Sequence, residues 1–204
     1  MVAKGALALL LSISMLPVAS FANGIQANKV YYTPPPGMTL TKNTPRNSLQ
    51  LQASYQVNPA FLRQIVQYPT SEHSGTIVIN TGEHYLYFVL GDGRALRYGI
   101  GVAKSGFEWN GVHQITRKAE WPGWTPPAEM LQRRPDLPRH MEGGPNNPLG
   151  ARAMYIGSTL YRIHGTTEPW SIGLNVSSGC IRMTNTDVID LYERVKLNTK
   201  VIVL

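Results

Sequence analysis

A chain of 204 residues, 43% of them hydrophobic, carries enough apolar material for a packed domain, which excludes a wholly disordered chain or a peptide-sized scaffold. Charged residues make up only 15%, and 19 Gly and 15 Pro punctuate the sequence, a mixture that favours a turn-rich β protein over a helical bundle. The net charge of +7 suits anionic partners, but no nucleic-acid-binding motif accompanies it, so nucleic acid is not an expected partner.

The first 22 residues read as an export signal. Lys4 supplies the charge, residues 6–16 form an apolar stretch too short to span a membrane, and Pro17 breaks it. Ser20-Phe21-Ala22 places small residues at a cleavage site, so cleavage is expected near Ala22, leaving no integral membrane span. A retained anchor is the other reading of this segment. Residues 23–74 read as a linker. Residues 23–57 lack apolar periodicity and include Pro34-Pro35-Pro36-Gly37. Near residues 59–67 a short helix is expected, with Asn58 as its cap, Pro59 in its first turn and Tyr68-Pro69 as its stop.

The main domain is expected over residues 75–204. Residues 76–80, 84–90, 95–102 and 112–118 read as strands, with Gly91-Asp92-Gly93 as a turn. Gly99 and Gly101 thin one strand face and mark a bulge or a close backbone approach. Residues 119–150 are irregular, with one or two helical turns at residues 128–134, and a stretch of that length points to a functional loop or lid. Within it, Trp121 and Trp124 either line a groove or staple the loop to the sheet. Residues 151–156, 160–164 and 180–183 read as further strands. Val188, Leu191, Tyr192 and Val195 recur at helical spacing, with Thr184 and Asp187 as a capping pair. Residues 199–204 close the domain as a strand. The sum is a mainly β, largely antiparallel domain with one helix near its C-terminus and a long irregular loop.

Cys180 is the single cysteine. An exported protein uses cysteines in pairs as disulfides, so a solitary thiol is either buried and inert or useful. Its surroundings favour use. His164 lies sixteen residues upstream at a strand end, and the intervening Gly, Pro, Ser and Asn form a loop that can fold the imidazole back onto the thiol. An imidazole can take the thiol proton and stabilise the thiolate. Gly179 allows close approach to the backbone, and the N–H groups of Ser178, Gly179 and Cys180 can face a developing oxyanion. Arg182 shares a face with Cys180 in an extended segment, where it can hold a carboxylate or form an ordinary ion pair. No ligand cluster at recognisable spacing points to a metal.

Ile163-His164-Gly165-Thr166 followed by Ser177-Ser178-Gly179-Cys180-Ile181-Arg182-Met183 resembles the L,D-transpeptidase catalytic domain family (YkuD type). The resemblance runs from about Gly75 to Leu204 and includes Asn147-Pro148-Leu149-Gly150. It implies a β-sandwich and a periplasmic enzyme without cofactor or metal. Its cysteine attacks the third residue of a peptidoglycan stem tetrapeptide, releases D-Ala, and passes the thioester to an amine in a 3→3 cross-link. On that basis Cys180 is the nucleophile and His164 the base, and the Gly165 carbonyl orients the imidazole. Trp121, Trp124 and the 119–150 loop shape the stem-peptide groove. The family usually has His where this chain has Ser178, which leaves His164 as the base. The same acyl-enzyme serves a carboxypeptidase if water resolves it, or protein attachment if the amino terminus of an outer-membrane protein does. An inactive wall-binding module is the non-enzymatic alternative, and a sortase-like transpeptidase is a further one, against which the Gly-Cys-Ile-Arg arrangement and the nearby His164 argue.

Overall fold

The computed structural model describes residues 57–204; the expected export signal and most of the linker lie outside them. In chain order the strands are β1 (Gln64–Gln67), β2 (Ile77–Asn80), β3 (Tyr85–Gly91), β4 (Arg94–Gly99), β5 (Val102–Ala103) and β6 (Gly111–Glu120). The short helix α1 (Ala128–Arg133) follows, then β7 (Arg152–Ile156), β8 (Arg162–His164), β9 (Asn175–Ser177) and β10 (Ile181–Arg182). The helix α2 (Asn185–Arg194) and the strand β11 (Lys200–Val203) complete the fold.

Nine strands form one sheet in the order β1-β4-β3-β2-β11-β6-β7-β8-β10, and β5 pairs with β9 separately. Most pairings are antiparallel; β2 with β11, β8 with β10 and β5 with β9 are parallel. The ten-residue β6 joins the two halves, pairing with β11 through its first residues and with β7 through its last. Residues from both halves share one core: Ile77, Leu86 and Tyr98 on one side meet Ile115, Met154, Ile163 and Ile181 on the other. Alternate residues of β2 and β3 face this core, while Val78, Tyr87, Val89 and Ala95 form a smaller buried cluster on the opposite face. The α2 residues Val188 and Leu191 enter the same core, placing the helix against β7.

The expected helix near residues 59–67 is not formed as such. Asn58 does cap a turn, its Oδ1 accepting from the Ala60 N–H at 3.0 Å, but that turn is a 3-10 helix confined to Pro59–Phe61. The β-branched Ile65 and Val66 belong instead to β1, which adds to the edge of β4. Phe61 explains two glycines. A methyl group at Gly99 would overlap the Phe61 backbone and Cβ, and one at Gly173 would overlap its ring, so Gly99 marks a close approach rather than a bulge. The capping pair on α2 is present, with Thr184 Oγ1 accepting from the Asp187 N–H at 3.1 Å.

The 119–150 loop is organised by a buried side chain. Asn147 donates through Nδ2 to the Met141 and Glu142 carbonyls at 3.2 and 3.0 Å, and accepts through Oδ1 from the Leu149 N–H at 2.9 Å. No helix among the described residues is long and apolar enough to cross a membrane.

Candidate active site

The parallel pairing of β8 with β10 sets Ile163 opposite Ile181 and His164 opposite Arg182. Ile163 and Ile181 both point into the core. Side chains alternate along a strand, so Arg162 and His164 on β8 share the opposite face with Cys180 and Arg182. Carrying the register one residue back puts Cys180 beside Arg162, with His164 two residues along the neighbouring strand. Adjacent strands lie about 4.8 Å apart. The loop does therefore return the thiol to the imidazole's face, as diagonal neighbours. Among the described residues no hydrogen bond links His164 to Cys180.

His164 is 4% exposed. Its Nδ1 lies 2.5 Å from the Gly165 carbonyl oxygen. A carbonyl only accepts, so Nδ1 carries the proton and Nε2 keeps its lone pair. Burial, reinforced by the positive fields of Arg182 and Arg162, drives the imidazole pKa down to about 3, against the opposing Gly165 bond. The ring is neutral at physiological pH. Burial pushes the half-buried Cys180 thiol up, while the fields of Arg162 and Arg182 and the nearby Arg162 backbone favour its anion. The resting pair is therefore neutral thiol and neutral imidazole rather than an ion pair.

The segment before the thiol is a tight turn. Ser177 Oγ accepts from the Gly179 N–H at 3.1 Å and donates to the Cys180 carbonyl at 2.6 Å. Gly179 is buried with a φ of +111°, a conformation that an L side chain rarely adopts. Ser178 is exposed. Of the three expected oxyanion donors, the Gly179 N–H is thus occupied by Ser177, whose part in the turn no motif signals.

Arg182 donates to Glu168 Oε2 at 2.7 Å, so it is held in an ion pair, each side chain about one-fifth exposed. Its Nε is buried without a partner. On the other side of His164, Asn185 Oδ1 accepts from the Ala151 N–H at 2.9 Å and crowds both Gly150 and Gly165, where a methyl group would overlap it. The first turn of α2 therefore fixes the backbone next to the imidazole. Neither Trp121, which is 44% exposed, nor Trp124, which bridges to Met141, is in described contact with Cys180 or His164. The indole beside the Cys180 turn is Trp109, and it lines a cavity of about 170 Å³ with Val102, Glu108, Asn175 and Ile181. Nothing in the spacing of Trp109 distinguishes it; only the sheet brings it there.

Residues 74–203 match the family model of the L,D-transpeptidase catalytic domain. The chain is 41% identical over 132 residues to an Escherichia coli K12 protein named probable L,D-transpeptidase ErfK/SrfK, covering 61% of this chain and 42% of that one. It is 39% identical over 140 residues to probable L,D-transpeptidase YbiS of the same organism, covering 65% and 45%. The chain thus spans just under half the length of these curated relatives. A solved L,D-transpeptidase from Mycobacterium smegmatis shares the fold, with a TM-score of 0.51 at 18% identity over 64% of this chain and 58% of that one. A solved Brucella melitensis chain titled probable carnitine operon oxidoreductase is 48% identical over 72% of this chain and 96% of its own, with a TM-score of 0.49, too low to add to the fold assignment.

Proposed function

The chain belongs to the L,D-transpeptidase catalytic-domain family, and from that premise we propose that it is an exported cysteine acyltransferase acting on peptidoglycan stem tetrapeptides. The observation that carries the reading is the His164 imidazole: neutral, protonated at Nδ1 by its bond to Gly165, and on the same sheet face as Cys180. Such a ring keeps a free lone pair at Nε2 that can accept the thiol proton as the sulfur attacks.

Cys180 Sγ attacks the carbonyl carbon of the third stem residue as His164 Nε2 takes the thiol proton. The oxyanion rests on backbone N–H at the Gly179–Cys180 turn. The tetrahedral species collapses, the C–N bond to D-Ala breaks, and His164 returns the proton to the departing amine. A second amine then attacks the thioester, loses its proton to His164, and forms the new amide as the thiol is released and reprotonated. The preferred acceptor is the side-chain amine of another stem's diaminopimelate, giving a 3→3 cross-link. A neutral thiol and neutral base favour proton transfer during attack over a standing thiolate. Positive charge at Arg162 suits an anionic peptide, whereas that of Arg182 is paired with Glu168. The proposed place of action is the periplasm, after removal of residues 1–22, a reading supported by the export-signal pattern of that segment.

Incubation with disaccharide tetrapeptide and analysis of products by mass tests this. The expected result is released D-Ala and a cross-linked dimer. Disaccharide tripeptide alone would make water, rather than an amine, the acceptor, and disaccharide tripeptide joined to an added outer-membrane protein's amino-terminal peptide, with no dimer, would favour protein attachment in its stead.

A further inference from the structure

The segment between β5 and β6 reaches the nucleophile's turn from outside the motif. Trp109 Nε1–H donates to the Gly179 carbonyl oxygen at 2.6 Å. The indole stacks on Tyr161, with centroids 4.5 Å apart and planes inclined by 13°, and meets the His113 ring edge-on at 5.3 Å. Tyr161 lies directly against the Gly179 α-carbon, where a methyl group would overlap its ring. Stacked aromatic pairs of this kind are rigid and add to the stability that burial gives.

A trans peptide points its C=O and N–H in opposite directions. The Gly179 carbonyl and the Cys180 N–H belong to one such unit, and no peptide bond among the described residues is cis. Holding the oxygen therefore fixes the direction of the N–H. That N–H donates to no acceptor among the described residues, whereas the Gly179 N–H is already taken by Ser177.

We propose that Trp109 is a positioning residue: its indole N–H locks the Gly179–Cys180 peptide so that the Cys180 N–H is presented to the oxyanion formed when Cys180 attacks a carbonyl. The proposal rests on the thioester reading above and deepens it. During attack the S–C bond forms, the carbonyl π electrons move to oxygen, and the Cys180 N–H receives that charge. On collapse the electrons return as the C–N bond breaks. Loss of an oxyanion donor costs on the order of 10²–10³ in rate. Trp109 acts one peptide away, so its loss costs about 10–100-fold.

Two reagents separate positioning from general damage. A carbapenem acylates a thiol through a tetrahedral oxyanion; iodoacetamide alkylates it by displacement at carbon, without one. In Trp109→Phe, acylation of Cys180 is expected to slow about 10–100-fold, while alkylation between pH 6 and 9 stays within about twofold of wild type. Equal slowing of both reactions, or no slowing of either, overturns the proposal. Replacing Trp109 with benzothienylalanine keeps the bicyclic ring without its N–H, and gives the same comparison if the Phe variant does not fold. Wild type that is alkylated but never acylated sinks the thioester reading and this proposal with it; unchanged acylation in both variants sinks this proposal alone.

Discussion

The neutrality of His164 has a thermodynamic consequence at the scale of the single residue. An imidazole free in the unfolded chain titrates near 6.5, but in the fold burial and two neighbouring guanidinium groups hold it at about 3. Above pH 6.5 both states are neutral and the group has no effect on stability. As pH falls below 6.5 the unfolded chain takes up a proton that the folded ring refuses, so stability declines by about 1.4 kcal/mol per pH unit through that window. The melting temperature of wild type should therefore fall more steeply between pH 6.5 and 4.5 than that of His164→Gln, which cannot titrate. Parallel curves for the two would contradict a buried neutral imidazole. At the same scale, Ser177 takes a place in the turn that the motif does not signal. The residue adjoining Gly179 is exposed, and the one before it closes the turn through its hydroxyl. Two consecutive serines look alike in sequence; only the turn geometry separates them.

At the scale of elements, the site hangs between β8, β10 and the start of α2. Thr184 caps that helix, and Asn185, the next residue, holds Ala151 at the beginning of β7. Thr184→Ala should cost about 1 kcal/mol through the lost cap, lowering the melting temperature by about 2–4 °C for a domain of this size. Alkylation of Cys180 should be unchanged, since the cap does not touch the thiol; an unaltered melting temperature would show the cap to be idle. Strands with strong β-branched or alternating patterns, such as β2, β3 and β6, were legible in the sequence, as was α2 with its cap. The residues of β1 look helical in sequence because their Asn-Pro opening is a genuine helix start, which tertiary pairing with β4 cuts off after Phe61. The three-residue β9 left no signal, because its partner β5 is only two residues long and the pairing is long-range.

Across the whole molecule, one core joins the two halves of the sheet, and the site lies on the outer face of the very strands whose inner faces supply Ile163 and Ile181. The nearness of the His164 strand to the segment after Cys180 was legible because both belong to a compact motif. The Arg162 neighbour follows only from the strand register, and Trp109 only from the fold, since about seventy residues separate it from Gly179. Trp121 and Trp124 stood out by their company of prolines and glycines, whereas the Asn147 side chain that holds their loop together is visible only in the fold. The central claim is that Cys180 carries the acyl group. Intact-mass measurement of the full chain after brief incubation with disaccharide tetrapeptide tests it most directly. The account predicts an added mass of the disaccharide tripeptide less one water, mapped to Cys180, with D-Ala in solution and neither in Cys180→Ala; D-Ala released by that variant, or an adduct on another residue, would contradict it.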